Sequence, residues 1–395
     1  MGIAPKQNSV PAKEHVYFGA LDGFRGLLAV FVAIYHTYWP SLTNGSAFFE
    51  NGPVIIDLFF VFSGFLLFTL YANRINSPDQ AGAFLKKRFA RLYPLHLFIL
   101  ILFVMFALLR LVFHMSGIAH DDPGEILPFE PGATESVGAL ISNIFLTHSM
   151  GLHGSLSYNV PSWTVSVEFF AYFTFAAMLL WAPPKKGWHF GLIGVGVVAI
   201  YAYLAQIKPD MNITYDFGFL RCMAGFYTGI IAAYLYSKCR KLNFVMNMNF
   251  NMATIIEAVT LLSSTLFVIY CPGKLQFFVG PVILAFVLVF SFDKGMVSKF
   301  MMGRVFRYLA KVSYSVYMVH MLIAVLYYAL ISKFIANPEW FGAGINGDLM
   351  LLPYLAIVLI FSHFTQKYVE IGGQKWIMSR RFGRITKDVS ALSKS

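Results

Sequence analysis

The sequence predicts an all-α integral membrane protein of about ten transmembrane helices. Of its 395 residues, 58% are hydrophobic and only 12% are charged, whereas a soluble domain is about one quarter charged. Apolar runs of about 20 residues, the length at which a helix crosses the hydrocarbon layer of a bilayer, recur along the chain. Lysine and arginine gather in the short connections between these runs, which is the pattern that orients a membrane protein.

Charge in the connections predicts how the spans are threaded. The candidate spans lie near residues 19–40, 52–72, 92–113, 161–182, 189–206, 217–236, 251–271, 276–292, 309–332 and 351–368. A shorter apolar segment, 137–150, is ambiguous. If this segment does not cross and the amino terminus is cytoplasmic, every basic connection lies inside and the acidic connection 114–136 lies outside. We therefore predict ten spans, both termini in the cytoplasm, and a re-entrant or interfacial segment near 137–150.

The chain is predicted to form one membrane domain with short flanking parts. These parts are a polar cytoplasmic amino terminus (1–17), a transmembrane domain (18–370) and a basic cytoplasmic tail (371–395). The net charge of +11 belongs to the orienting connections, so we predict no nucleic acid partner. Three cysteines have neither a pairing framework nor the spacing of metal ligands, and we predict no metal site.

Two titratable side chains lie in the first apolar run. A cation inside a bilayer costs on the order of 2.5 kcal/mol or more, so Arg25 is expected to face the protein interior. His36 follows eleven residues later, which is about three turns plus roughly 20°, and both side chains therefore project from one face. Along the axis they are separated by about 16 Å at ~1.5 Å per residue. One helix face thus presents a cation and a base at different depths.

The predicted topology groups His36, Asp57 and Glu168 in the outer half of the membrane. An imidazole beside a carboxylate is the arrangement of a general base with an orienting partner. Asp57 is accordingly predicted to orient His36, with Glu168 as a further partner or an acceptor-binding group.

A second predicted group contains the arginines of the inner half. Arg88 and Arg91 fall at the inner surface, on the same side as Arg25. Guanidinium groups suit the phosphates of a donor that arrives from the cytoplasm. The two groups together indicate transfer of a chemical moiety across the bilayer.

The sequence also allows purely structural roles for these residues. A buried histidine or glutamate can simply hydrogen-bond a neighbouring helix, Asp57 can cap the second span, and the basic pair can anchor the topology. Ser63, in Phe-Ser-Gly-Phe, fits close helix packing better than nucleophilic catalysis. Tyr317 and His320 fit a hydrogen-bonded core better than a catalytic role.

Five segments in order resemble motifs of the membrane-bound acyltransferase-3 family. They are the arginine, ten residues, histidine signature over 25–36, the D-hydrophobic-F-F-V-x-S-G-F element at 57–65, the basic R-x-x-R loop at 84–94, the W-S-x-x-x-E element at 163–168, and the S-Y-S-x-Y-x-x-H element at 313–320. Thr164 stands where serine is usual. The family's closing Glu-Lys-Pro is Glu370-Ile371-Gly372 here, a departure expected to affect only the end of the last span.

The resemblance implies a ten-span fold that transfers an acyl group, usually acetyl from acetyl-CoA, to a sugar hydroxyl. It implies that His36 is the essential catalytic residue and that Arg25 is essential for donor binding or site structure. The resulting site assignments are His36, Asp57 and Glu168 as catalytic, Arg25, Arg88 and Arg91 as donor-binding, and Trp163 and His320 as possible acceptor contacts.

The predicted function is that of a bacterial inner-membrane O-acyltransferase with acyl-CoA as co-substrate and no bound cofactor. Its acceptor is an exopolysaccharide, a lipopolysaccharide or a lipid-linked sugar. His36 either takes the proton of the acceptor hydroxyl or carries the acyl group itself. A transporter or flippase of a lipid-linked sugar is the alternative, because buried polar groups also line transport pathways; a membrane sensor switched by His36 is the third.

Overall fold

The computed structural model describes residues 17–117, 126–334 and 344–380, and within these ranges the regular structure is helical. The predicted all-α class is confirmed. The helices are α1 Gly19–Tyr35, α2 Ala47–Glu50, α3 Asp57–Tyr71, α4 Pro78–Met115, α5 Val137–Ile144, α6 Trp163–Trp181, α7 Gly187–Ile207, α8 Gly218–Cys239, α9 Asn243–Met246, α10 Phe250–Tyr270, α11 Val279–Phe290, α12 Met296–Met301, α13 Arg304–Phe334, α14 Ile345–Phe364 and α15 Ile371–Ser379. Short 3₁₀ turns precede α3, α6 and α11, and a π-helical turn, Thr365–Glu370, joins α14 to α15.

Nine helices of the described ranges are long and apolar enough to cross a membrane. They are Gly52–Tyr71, Pro78–Met115, Val160–Trp181, Gly187–Ile207, Gly218–Cys239, Phe250–Tyr270, Gly273–Phe290, Arg304–Ile331 and Ile345–Ser379. The tenth predicted run is α1, which has 17 residues and so lies at the lower limit of about 17 for a span. α1 packs along α13, and the Asp293 carboxylate accepts the backbone N–H groups of Gly19 and Ala20 at 2.9 and 2.8 Å, which caps its first turn.

The ambiguous segment 137–150 contains only the eight-residue helix α5. Eight residues rise about 12 Å at ~1.5 Å each, so α5 is too short to cross, in agreement with the prediction. In the irregular chain after α5, Leu146, His148 and Ser149 are buried in the protein, whereas Phe145 and Leu152 are exposed. Burial lowers the pKa of His148 to about 3, which keeps its ring neutral.

Other predictions fall on parts of the chain that the structure does not describe. Residues 1–16, 118–125 and 381–395 lie outside the described ranges. The cytoplasmic placement of both termini and the three-part division of the chain therefore stay predictions.

The basic connection predicted at 84–94 is helical instead. Ser77 accepts the N–H of Gln80 at 3.4 Å and Pro78 occupies the first turn, so α4 begins early. Lysine, arginine, leucine and alanine are strong helix formers, and they continue the helix through this stretch. Arg88 and Arg91, three residues apart, consequently lie near each other on one side of α4.

α3 and α8 approach until their backbones touch. A Cβ atom added at Gly64 would lie 1.9 Å from the carbonyl oxygen of Phe226, and one at Gly229 would lie 2.2 Å from that of Val61. Small residues permit such contact between membrane helices. This contact carries α8 close to the first turn of α3, where the candidate site begins.

Gly64→Ala is expected to destabilise the protein by about 1–3 kcal/mol, because the added methyl group has to displace the backbone of α8 at Phe226. The change should lower the midpoint of thermal unfolding in detergent. Gly196→Ala is the control, since Gly196 lies inside α7 and a Cβ added there would have no atom within 4 Å. Equal midpoints for the two variants would contradict the close contact.

Candidate active site

Two cavities lie at different depths along α1. The arginine cavity, of about 130 Å³, is lined by Arg25, Ser63, Arg88, Arg91, Glu168, Tyr314, Tyr317 and surrounding apolar side chains. The histidine cavity, of about 400 Å³, is lined by His36, Trp163, Asn212, Tyr215, Arg221, Tyr317 and others. The predicted division of one helix face between a cation and a base therefore corresponds to two separate cavities.

His36 is held through its Nδ1 atom. This atom lies 3.0 Å from the carbonyl oxygen of Val32 and 3.3 Å from Nε2 of His320. Nδ1 of His320 lies 3.2 Å from the carbonyl oxygen of Val316. A carbonyl oxygen only accepts, so His320 carries its proton on Nδ1 and presents Nε2 as an acceptor. His36 then carries its own proton on Nδ1, and its Nε2 lone pair is left for chemistry.

His320 lies within hydrogen-bonding distance of His36. Its side chain is 0% exposed, whereas His36 lines the histidine cavity. His320 lines neither cavity, and its predicted acceptor contact stays a prediction. Its spacing of three residues from Tyr317 on α13 directs both rings toward the same region, with centroids 5.9 Å apart.

Asp57 is paired with an arginine rather than with His36. Its Oδ2 accepts hydrogen bonds from Nε and Nη2 of Arg221 at 3.0 and 2.7 Å. Both side chains are buried, with Asp57 0% and Arg221 1% exposed. A guanidinium group within reach binds a buried carboxylate more strongly than a neutral imidazole does. The predicted Asp57–His36 dyad is thus replaced by two pairs, Asp57–Arg221 and His36–His320.

Arg221 is a site residue that the sequence analysis missed. It also donates to the carbonyl oxygens of Ile213, at 3.1 Å, and of Pro53. These bonds join the α7–α8 connection to the turn that precedes α3. The signal was present in the sequence, because Arg221 is a cation inside an apolar run, as Arg25 is.

Trp163 lies in the wall of the histidine cavity, and its predicted acceptor contact stays a prediction. It is only 6% exposed, and the Arg221 guanidinium lies 5.4 Å from its ring centroid. One ring face is therefore occupied by a cation. A sugar ring has less of Trp163 available to it than the sequence suggested.

The arginine cavity gathers the three cations that were predicted to act together. Arg25 forms an ion pair with Asp22 at 2.9 Å, and Nη2 of Arg88 lies 3.4 Å from the Tyr71 hydroxyl. Within the described ranges, the buried Nε atoms of Arg25 and Arg88 have no hydrogen-bond partner. These spare donors, with Arg91 beside them in the cavity wall, suit an anionic ligand.

Glu168 lies in the arginine cavity and not beside His36. It accepts a hydrogen bond from the Ser63 hydroxyl. Glu168 follows Trp163 by five positions on α6. Its side chain therefore points about 140° away from that of Trp163 around the helix axis and lies about 7 Å further along it. The predicted grouping of His36, Asp57 and Glu168 is therefore broken up: His36 and Glu168 line different cavities, and Asp57 lines neither. Ser63 lines the arginine cavity and is also next to Gly64, where α3 and α8 pack closely.

Glu370 is connected to the arginine cavity although the sequence analysis set it outside the site. Its carboxylate accepts the Ser315 hydroxyl at 3.0 Å. It also interacts electrostatically with Arg91 and Arg25. The π-helical turn that ends at Glu370 thus brings a carboxylate to the cations.

The described residues contain no group of three or more His, Cys, Asp or Glu side chains that could hold a metal ion.

The fold and site define a helical membrane protein with a histidine in one cavity and a cluster of arginines in another. A family model described as an acyltransferase domain matches residues 18–365. The chain belongs to this family, acyltransferase-3, and is a membrane acyltransferase. Membership favours group transfer over the transport alternative.

Two relatives are similar to parts of the chain. "Protein 2 in picA locus" of Rhizobium radiobacter is 30% identical over 164 residues, which are 38% of this chain and 76% of that protein. "Acyltransferase MdmB" of Streptomyces mycarofaciens is 30% identical over 126 residues, which are 31% of this chain and 27% of that protein. No solved structure matches the chain.

Proposed function

We propose that this enzyme transfers a short acyl group, with acetyl the first candidate, from acyl-CoA to a hydroxyl of a cell-surface or lipid-linked carbohydrate. The observation that supports this most is the placement of a basic cavity and a histidine cavity along one helix, with Tyr317 in the wall of both. Such a layout suits an anionic donor and a neutral hydroxyl acceptor that approach from opposite sides.

The donor is assigned to the arginine cavity. In the orientation favoured by the basic connections, this cavity opens to the cytoplasm of a bacterial inner membrane. Its volume of about 130 Å³ is below the ~300 Å³ at which pockets for drug-sized ligands begin. It therefore suits only part of the donor: the phosphates pair with Arg88 and Arg91 in its wall, the nucleotide stays outside, and the pantetheine arm carries the thioester toward His36.

The acceptor is assigned to the histidine cavity, whose volume of about 400 Å³ is within the range of small-molecule sites, roughly 300–1,000 Å³. His36 Nε2 takes the proton of the sugar hydroxyl while its oxygen attacks the thioester carbon. The new C–O bond forms, the C–S bond breaks, and the imidazolium returns the proton to the leaving thiolate.

A covalent route uses the same atoms in two steps. Nε2 of His36 attacks the thioester carbon and the CoA thiolate leaves; the sugar hydroxyl then attacks the acyl-imidazole and releases the histidine. Both routes yield a sugar ester and free CoA thiol. The covalent route suits substrates that reach the enzyme from opposite faces.

Transfer of label tests the proposed function. Membranes that contain the wild-type protein are incubated with radiolabelled acetyl-CoA and, separately, succinyl-CoA and longer acyl-CoAs. Label should enter the glycan or glycolipid fraction and should be released from it by mild base, as expected for an ester. Absence of label with every donor, at a confirmed level of folded protein, would refute acyl-CoA as the donor.

Arg88→Gln and Arg91→Gln are each expected to raise KM for acyl-CoA by about tenfold or more, because a hydrogen bond to a charged group contributes about 1.5–3 kcal/mol. Steady-state kinetics with varied acyl-CoA measure this change. Arg110→Gln is the matched control on the same helix, since Arg110 pairs with Glu135 outside both cavities. Equal KM values for all three variants would exclude a donor role for the pair.

His320→Leu is expected to lower kcat by up to about tenfold, because the variant loses a hydrogen bond of about 0.5–1.5 kcal/mol that orients His36. His320→Gln, which keeps an acceptor near the position of Nε2, should recover part of the rate. KM for the acceptor should stay unchanged in both variants. A raised acceptor KM with unchanged kcat would instead support the acceptor-binding role predicted for His320.

A further inference from the structure

Tyr317 occupies a position that the proposed chemistry does not yet use. Among the described residues, it alone lines both the arginine cavity and the histidine cavity. The ring is 7% exposed and forms part of the wall of each cavity. Tyr317 is therefore the side chain that the two cavities share.

The Tyr317 ring is fixed at its hydroxyl end. The hydroxyl donates to the carbonyl oxygen of Pro161 at 2.9 Å and accepts the Thr164 hydroxyl at 2.9 Å. Both partners belong to the turn that begins α6, and α13 supplies the ring. The phenol thus bridges two membrane helices, with its donor and acceptor capacity both used.

The apolar side of the ring faces other aromatic groups. Phe59 of α3 lies 5.9 Å away between centroids, and His320, the support of His36, also lies 5.9 Å away. The partition between the cavities is therefore aromatic and well packed. Aromatic walls of this kind exclude additional methylene groups by volume.

We propose that Tyr317 determines the size of the acyl group that the enzyme transfers. This inference rests on the proposed function. The thioester carbon has to come within about 3–3.5 Å of the attacking atom, and His36 lies on the far side of Tyr317 from the arginines. The acyl chain consequently lies against the tyrosine ring during reaction, and each added methylene meets it.

Chain-length profiles of two variants test the inference. The ratio of kcat/KM for acetyl-CoA to that for hexanoyl-CoA is measured in wild type, Tyr317→Ala and Tyr317→Leu. A missing or extra methylene in an apolar pocket changes specificity by roughly 10–200-fold, so the ratio is expected to fall by at least about tenfold. Tyr317→Leu retains an apolar side chain and is the test variant to use if Tyr317→Ala does not fold.

Two further variants separate the effect of the ring volume of Tyr317 on acyl preference from the effect of its hydroxyl group. Tyr317→Phe keeps the ring and loses both hydrogen bonds, so its acetyl preference should remain within a few-fold of the wild type. Tyr328→Leu is the control for a tyrosine lost from α13, because Tyr328 is 41% exposed and lines neither cavity. Its ratio should equal that of the wild type.

The outcomes distinguish this inference from the proposed function. If the wild type transfers acetyl and both small variants keep its chain-length ratio, Tyr317 does not set acyl size. If the wild type transfers no acyl group from any donor, the proposed function fails and the inference fails with it. A fall in the ratio in either small variant, with Tyr328→Leu unchanged, supports the inference.

Discussion

Replacement of His36 by glutamine is expected to lower kcat/KM by about 10²–10⁴-fold, the range in which general acid–base groups contribute. Glutamine fills a similar volume and keeps hydrogen-bonding atoms, but it is neither a base nor an acyl carrier. The structure gives the reason for the size of the effect. Val32 and His320 bind Nδ1 of the imidazole at 3.0 and 3.3 Å, which leaves Nε2 available for the proposed reaction.

Initial rates of ester formation, at equal amounts of folded protein, measure the effect of His36→Gln. Its unfolding midpoint should be close to that of the wild type, since His36 is only partly buried at the end of α1. A residual rate above about one tenth of the wild-type rate, well above the expected 10²–10⁴-fold loss, would show that another group performs the reaction.

A single turnover without acceptor distinguishes the two roles of His36. If the histidine carries the acyl group, labelled acyl-CoA should transfer label to wild-type protein and not to His36→Gln. If it acts as a base, neither protein should become labelled, although the wild type still forms ester when acceptor is added. The lost activity of His36→Gln is common to both mechanisms, so it remains a test of the site itself.

Arg221→Gln is expected to destabilise the protein by about 3–5 kcal/mol, because it leaves the Asp57 carboxylate buried and unpaired. Asp57 and Arg221 are 0% and 1% exposed, and Arg221 also bonds Ile213 and Pro53. The variant should give little folded protein in detergent and a strongly lowered unfolding midpoint. Fluorescence-detected size-exclusion chromatography and thermal scans measure both.

A double variant separates the effect of losing the Arg221 cation from the effect of leaving the Asp57 carboxylate buried without a partner. Asp57→Leu combined with Arg221→Met should recover most of the stability, because apolar replacement of a buried ion pair is often neutral or favourable. Its activity should remain low, since Arg221 lies in the wall of the histidine cavity and against Trp163.

The control for this experiment is a partly exposed ion pair near the surface. Lys208→Gln removes the partner of Asp216 in the connection after α7, and ion pairs that solvent reaches contribute about 0–1 kcal/mol. An unfolding midpoint of Arg221→Gln as high as that of Lys208→Gln would contradict a structural role for the buried pair.

Much of the fold could be predicted because the bilayer constrains the chain locally. A span needs about 20 apolar residues, and such runs are visible one at a time. The all-α class and the order of the long helices follow from run length, and the failure of 137–150 to cross follows from the charge of the connections. The helical continuation through Arg88 and Arg91 could not be predicted in this way, because basic charge marks connections between spans as well as helix ends.

The site was predictable only in part. Arg25 and His36 belong to one helix, so their shared face follows from helical geometry, and the structure places Arg25 with Arg88 and Arg91 in one cavity. Arg221 carried the same signal as Arg25, a cation in an apolar run, and it was overlooked. Ser63 and Glu370 gave no comparable signal, because serine packs between helices and Glu370 lies in the last turn of a span.

The sequence by itself thus determined which segments are helices, which of them are long enough to cross, and which polar side chains have to face inward. Only the tertiary structure decided which of those side chains meet. The contacts Ser63–Glu168, Asp57–Arg221 and His36–His320 join residues 105, 164 and 284 positions apart. Such contacts depend on the depth and rotation of separate helices, which close approaches such as that at Gly64 establish and which no local pattern encodes.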